Sequence, residues 1–403
     1  MNRLIAASNY ADLQSAIHAA EEFDTVSVTG IWNTAPIRLK SHMTLRLEAG
    51  AKLIASRNME DYPFFECFKC DSRIGHPWIG GVDLDDVTIE GGTFDASGDA
   101  FWTDFDGADS PEPTMLRRKI YKPAKRRPSA MIFYNCRNLT LRNFLIRNSP
   151  SYTIWLIGCS NVRIENIRIE NHRLSPNTDG LDIDCCSDVF ISGCDLRCGD
   201  DCIALKSGIA LLGENRPCER INISNCIMTT PCCAIRVGYE GDGIIRDVVA
   251  GNLIIHNCNK GFDFLSSLPP HGMYHIHRGC RIENMVFHNS VMRDVRMAIA
   301  AWSWAEDETE IEKHAGYIRN LEFNNLSIEA GDASFIGGKA VSDIALNHIR
   351  MHIVRDMARC KLEPVVELPN VWGCGFLEEP LSIYQAKNII QNDVRISEER
   401  ING

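Results

Sequence analysis

From Asp86 onward the chain keeps returning to one six-residue pattern: DVTIEG from Asp86, NLTLRN from Asn138, NVRIEN from Asn161, DVFISG from Asp188, RINISN from Arg220, DVVAGN from Asp247, NMVFHN from Asn284 and NLEFNN from Asn320. Apolar and polar residues alternate in each run, which is the period of a strand, and Asn or Gly closes it as a turn would. After Asn138 the starts are separated by 23, 27, 32, 27, 37 and 36 residues. The interval varies where loops enter but never falls below one coil. Short strands in repeats of this length bury their apolar residues only by stacking on the next repeat, so the pattern predicts a solenoid. A β-sandwich has similar short strands but leaves the fixed repeat unexplained.

The expected fold class is therefore all-β, a parallel solenoid running through residues 1–403 as a single domain, although length alone suggests two or three. Terminal coils need covering. Residues 1–25 supply one cap, with a helix over Tyr10 to Glu22 whose Leu13, Ile17 and Ala20 share a face and whose N-cap is Ser8 or Asn9. The stretch 103–128 breaks the repeat as an inserted loop. It carries Lys119, Lys122, Lys125, Arg126 and Arg127 in KIYKPAKRRP, either a solvated basic loop or the wall of a cleft for an acidic substrate.

A net charge of -11 argues against a nucleic-acid partner. No apolar run approaches the roughly 18 to 20 residues of a membrane span. The N-terminus has only a short apolar patch, below the roughly 7 to 15 residues of a signal-peptide core. A cytoplasmic location is expected, or secretion if a leader was removed. The 17 cysteines include adjacent pairs, Cys185-Cys186 and Cys232-Cys233, which suit a disulfide framework poorly and read mainly as buried thiols. Cys67 and Cys70, with His76 nearby, form a lone CxxC without a second pair at zinc-site spacing; no metal is expected.

SPNTDGLDID places Asp179, Asp182 and Asp184 within six residues in a run that otherwise reads as a buried strand. With a coil of about 22 residues, Asp179 falls beside Asp200 and Asp201 of CGDDCIALKSG, about 4.8 Å away along the stack. Carboxylates so close cannot all ionise cheaply, and at least one pKa should rise. A carboxylic acid beside a carboxylate is the pair that glycoside hydrolysis requires. A calcium site or a hydrogen-bonded Asp ladder is the alternative.

NTDG at Asn177–Gly180, GDDC at Gly199–Cys202 and IALKSG at Ile203–Gly208 resemble the signature of glycoside hydrolase family 28, the polygalacturonase and rhamnogalacturonan hydrolase family. The likeness runs upstream through LKSHMTLRLEAGAKLIAS, DVTIEGGTFDASGDAFW and RRPSAMIFYNCRNLTLRNFLIRNSPSYTIWLIGC, covering roughly the first 240 residues. It implies a right-handed parallel β-helix with an open cleft, and hydrolysis with inversion. Asp200 matches the general acid; Asp179 and Asp201 match the pair that activates water. Asp182 is expected to support that pair by hydrogen bonds, and Asp184 to be a rung or surface residue.

Two family motifs are missing. Where the family has a Gly-His-Gly turn, TTPCCAIRVG offers Cys233; where it has an Arg-Ile-Lys strand for the galacturonate carboxylate, NCNKGFDFLSS offers Asp263 and Leu265. At the central subsite a cation has become an anion, which at 4 Å is worth roughly 1 to 4 kcal/mol against a uronate. Arg236 offers a cation from the neighbouring rung, unless it is a surface residue. Asn177, Lys206, Cys233, Arg236, Asp263 and Trp302 are the expected substrate contacts, with Trp302 and Trp304 as stacking platforms or core residues. The reading is an exo-acting hydrolase of pectin-derived or related oligosaccharides, without metal or organic cofactor, its oligomeric state open. A β-helix lyase, a transferase or epimerase, and an inactive carbohydrate-binding homologue are its rivals.

Overall fold

The computed structural model describes residues 3–70, 72, 74–103, 121–268, 276–305, 316–357, 362–363 and 376–402. Strands pair in parallel with their counterparts one coil away: Arg137–Arg142 lies between Asp85–Glu90 and Ser160–Glu165, and Ser160–Glu165 in turn pairs with Ser187–Ser192. The result is a 29-stranded sheet wound on itself from Leu4–Ala6 to Lys387–Ile401, a right-handed parallel β-helix.

Both ends of every hexapeptide are left-handed. The opening residues, from Asp86 to Asn320, have φ of 52° to 58°; the closing ones, from Gly91 to Asn325, have φ of 50° to 79°. That conformation costs most L-residues about 1–2 kcal/mol, whereas Gly pays no steric penalty and Asn or Asp compensates locally. The Asn amides then bond from coil to coil: Asn161 Nδ2 donates to Asn138 Oδ1 (2.6 Å), Asn325 Nδ2 to Asn289 Oδ1 (2.9 Å) and Asn320 Nδ2 to Asn284 Oδ1 (3.2 Å). His42, Asp343 and Asn388 adopt the same backbone at φ 57°, 56° and 53°, extending the series to coils whose sequence pattern had passed unnoticed. Between the ends, Val87, Leu139, Val162, Val189, Ile221, Val248, Met285 and Leu321 follow one another in register and fill the interior.

The N-terminal helix is shorter than the sequence suggests, Leu13–Ala19, with Leu13, Ala16 and Ile17 buried. Its cap is Asp12, whose Oδ1 accepts from Ser15 N at 2.7 Å; Ser8 and Asn9 belong instead to a preceding 3₁₀ turn, Ala7–Asn9. The inserted loop is rooted in an antiparallel pair, Trp102–Thr103 with Lys122–Pro123, and the stack resumes at Ser129–Tyr134. Lys119 lies outside the described residues. All described cysteines are free thiols, most of them buried. Among the described residues no helix is long and apolar enough to cross a membrane.

Candidate active site

The strands Leu181–Asp184 and Ile203–Ser207 pair with Leu181 against Ile203 and Asp182 against Ala204. Two residues before that register stand Asp179 and Asp201, where Gly180 N donates to Asp201 O at 2.8 Å. The 22-residue coil thus brings Asp179, Asp200 and Asp201 together, with one oxygen of each within 4.8 Å of the others. All three are at least nine-tenths buried. Burial, then the charges of Asp182 and Asp200, pushes the Asp179 carboxyl well above its usual range, with Lys206 opposing. Its Oδ1 has no hydrogen-bond partner among the described residues.

Asp201 has a different environment. Its Oδ1 accepts from Cys233 N (3.0 Å) and its Oδ2 from Arg236 Nε (2.9 Å). Arg236 also reaches Asp263 Oδ2 through Nη1 (2.8 Å) and donates to Cys233 Sγ through Nη2 (3.0 Å). Lys260 Nζ holds the other Asp263 oxygen at 3.0 Å. Burial works against the Asp263 charge, but Lys260 and Arg236 outweigh it and hold the carboxyl below its usual value. Arg236 is therefore a buried ion-pair partner and no surface residue.

This corrects the charge reversal inferred at the missing Arg-Ile-Lys strand. Arg236 and Asp263 are register partners on adjacent rungs: the cation stands one coil earlier, and Asp263, fully buried, is its counter-ion instead of a substrate contact. At the place of the missing His, the Cys233 backbone and Arg236 both donate to Asp201. Cys233 lies behind Asp201, its thiol 3.5 Å from Asp263 Oδ2.

Asp182 was expected to support the acid pair by hydrogen bonds. It faces Lys206 instead, with Nζ 2.8 Å from Oδ1. The approach is a charge contact off the hydrogen-bonding line, because both Asp182 oxygens lack a well-aligned donor. Burial raises this carboxyl to about 7 even against Lys206. Lys206 is also held by Glu240 Oε2 (2.7 Å), by Tyr152 Oη (2.9 Å) and by the Tyr152 ring, 4.1 Å from its centroid. Asp184 is a buried rung residue, not a surface one; its Oδ1 accepts from Gly208 N at 2.7 Å.

Trp302 is in the core, not at a cleft edge. It is fully buried, 4.9 Å from the Phe335 ring, with Lys260 Nζ 5.0 Å from its centroid. Its register partner is Leu265, and that rung position points into a satellite cluster with Tyr239 and Met297. The Trp304 side chain lies outside the described residues. Exposed Asn177 adopts φ 52° and accepts from Arg127 Nη2 at 2.9 Å. Arg127, taken with the basic loop, is buried and also binds the carbonyls of Pro150 (3.1 Å) and Pro176 (2.6 Å). Burial lowers its pKa to about 10. His76 Nδ1 lies 3.0 Å from Tyr62 O.

Sequence reasoning missed Tyr152, Glu240 and Lys260. For Lys260 a signal exists: it precedes Asp263 by three residues in the very stretch that departs from the family motif. Glu240 follows a bulged register between Leu205 and Ser207 that no periodicity announces.

The site is thus three buried aspartates from adjacent coils of a parallel β-helix, one paired with an arginine and one driven toward its protonated form. The family model described as glycosyl hydrolases family 28 matches residues 66–361, and the chain belongs to that family. A probable polygalacturonase of Vitis vinifera is 30% identical over 244 residues, 58% of this chain and 47% of the relative; a polygalacturonase of Persea americana is 26% identical over 214 residues, 46% and 44%. The chain spans about half the length of these relatives. Among solved structures, a Thermotoga maritima exopolygalacturonase aligns with TM-score 0.69 at 21% identity over 88% of both chains. A Yersinia enterocolitica exopolygalacturonase aligns with TM-score 0.66 at 17% identity, over 96% of this chain and 78% of that one.

Proposed function

We propose that the chain hydrolyses glycosidic bonds in pectin-derived or related oligosaccharides by single displacement. Asp200 protonates the leaving oxygen, and Asp179 with Asp201 binds and deprotonates the attacking water. The carrying observation is the divided environment of the cluster: within 4.8 Å, one carboxyl is raised by burial and another is paired with Arg236. The raised value makes Asp179 the stronger proton acceptor once ionised, which suits it to water, while the ion pair keeps Asp201 charged beside it.

The oxygens stand closer than the roughly 6.5–9.5 Å of a two-carboxylate inverting pair, and nearer the roughly 5–5.5 Å of a retaining one. Inversion at this spacing has Asp179 and Asp201 sharing one water while Asp200 faces the leaving group. Proton NMR of the first product decides: a retained anomer would make one aspartate a nucleophile.

The substrate preference follows from committed cations. Arg236 and Lys260 are paired with Asp263, and Lys206 with Asp182 and Glu240, so a neutral sugar, or an acidic one placed elsewhere, suits the central subsite better than galacturonate. Exo action is supported by the root of the insertion. Tyr121 stacks with Trp102 and tilts against His172, while Arg127 clamps the turn leading to Asp179, so the root of the insertion flanks the segment that carries this acid. Purified protein is to be tested on trigalacturonate, rhamnogalacturonan oligomers and neutral aryl glycosides, read by reducing-sugar release. Single residues released from chain ends of a non-galacturonate substrate are expected; rapid turnover of trigalacturonate or internal cleavage would refute the preference or the exo mode.

A further inference from the structure

We propose that Cys232, Cys233 and Asp201 form a binding site for a thiophilic divalent cation such as zinc or cadmium, beside the aspartate cluster. One donor atom from each lies within 4.8 Å of the other two. Consecutive residues of a regular strand point to opposite sides. Here the register slips between Thr230 and Cys233, and both thiols come round to the carboxylate. Cys233 and Asp201 are buried, whereas Cys232 is partly exposed and gives an ion a way in.

Two thiolates and a carboxylate suit zinc-type ions, with metal–sulfur bonds near 2.3 Å and metal–oxygen bonds near 2.0–2.2 Å. Ligand atoms at those lengths stand roughly 3.4–3.8 Å apart in a tetrahedron, so the cluster contracts modestly on binding. The balance is simple. Two S–H bonds break, two metal–sulfur bonds form, two protons leave to solvent, Asp201 supplies the third donor and water the fourth, and no oxidation state changes. Arg236 competes for the same donors, with Nε 2.9 Å from Asp201 Oδ2 and Nη2 3.0 Å from Cys233 Sγ and 3.8 Å from Cys232 Sγ, so an ion has to displace the guanidinium. On binding, Arg236 releases the sulfurs and yields one Asp201 oxygen to the ion, and it keeps Asp263 as its counter-ion.

Occupancy engages Asp201, so the ion inhibits hydrolysis; that consequence rests on the function proposed above, while the binding does not. The test uses the full chain, reduced and treated with chelator, titrated with Cd²⁺ without substrate and followed by thiolate-to-cadmium charge-transfer absorption. Cys232→Ser and Asp201→Asn are each expected to weaken the affinity at least about tenfold. Cys70→Ser, in the other partly exposed pair, leaves it unchanged. Circular dichroism confirms that the variants fold, with Cys232→Ala as a second substitution at the same position. Undiminished absorption in both Cys232 variants, or a loss that follows Cys70→Ser instead, would overturn the site. A second arm measures whether Cd²⁺ inhibits the wild type's hydrolysis more than that of Cys232→Ser. A chain without hydrolase activity would fail this arm and leave the titration standing.

Discussion

Arg236 donates to Asp201 while its other arm pairs with Asp263, so removing it leaves buried charge without compensation. Arg236→Met is expected to cost about 3–5 kcal/mol, measured as a lowered urea midpoint with unchanged slope. Asp200→Asn keeps the shape but lacks the transferable proton, and kcat should fall by about 10² to 10⁴; full activity would remove it from the acid's role. Asp184 gives a pH test. Burial raises its carboxyl to about 6, with the Gly208 amide opposing, against roughly 3.9 unfolded. The native state therefore binds the proton more tightly, and the group's contribution, complete below pH 4, is lost as pH rises through about 6. The loss amounts to about 3 kcal/mol, and Asp184→Asn should flatten the fall of unfolding free energy by about that much between pH 4 and 7. At this scale the sequence was legible where one coil length was enough, as with Asp179 and Asp201. It misled where function had moved between coils: aligned against a motif, Asp263 reads as a reversed charge, and only the register with Arg236 reveals a displaced ion pair.

The strand elements were the easiest to read, because the hexapeptide carries its own punctuation. Asn at both ends satisfies two demands, a left-handed backbone and an amide for the next coil. Asn252, at φ 57°, shows both: its Nδ2 donates to Asn225 Oδ1 and its Oδ1 accepts from Asn289. Asn252→Ala should cost about 1–2 kcal/mol, from backbone strain and the lost bonds, and thermal denaturation will register it. Asn252→Gly should recover the strain but not the bonds, and so fall between. The helix was harder. Its apolar face was visible, but Ser8, Asn9 and Asp12 are all capping residues, and what chooses Asp12 is the preceding 3₁₀ turn, which leaves no periodic trace.

The molecule as a whole is a stack in which each coil leans on its neighbours, so protection should follow position. Among the described residues the strand Lys387–Ile401 has one neighbour and is largely exposed, Ile390 included. Leu181–Asp184 is fully buried between two coils. Amide hydrogen exchange followed by mass spectrometry should label 387–401 first and 181–184 and 203–207 last; uniform exchange would contradict independent coils. A loop between stacked strands, such as the insertion rooted at Trp102–Thr103 and Lys122–Pro123, begins and ends at backbone already held by pairing. Such a segment can be lengthened, shortened or exchanged for a relative's without telling the rest of the stack. Such loops are in this sense interchangeable parts on a common spindle, and diversification of sugar preference by loop transplantation requires no renegotiation of the core.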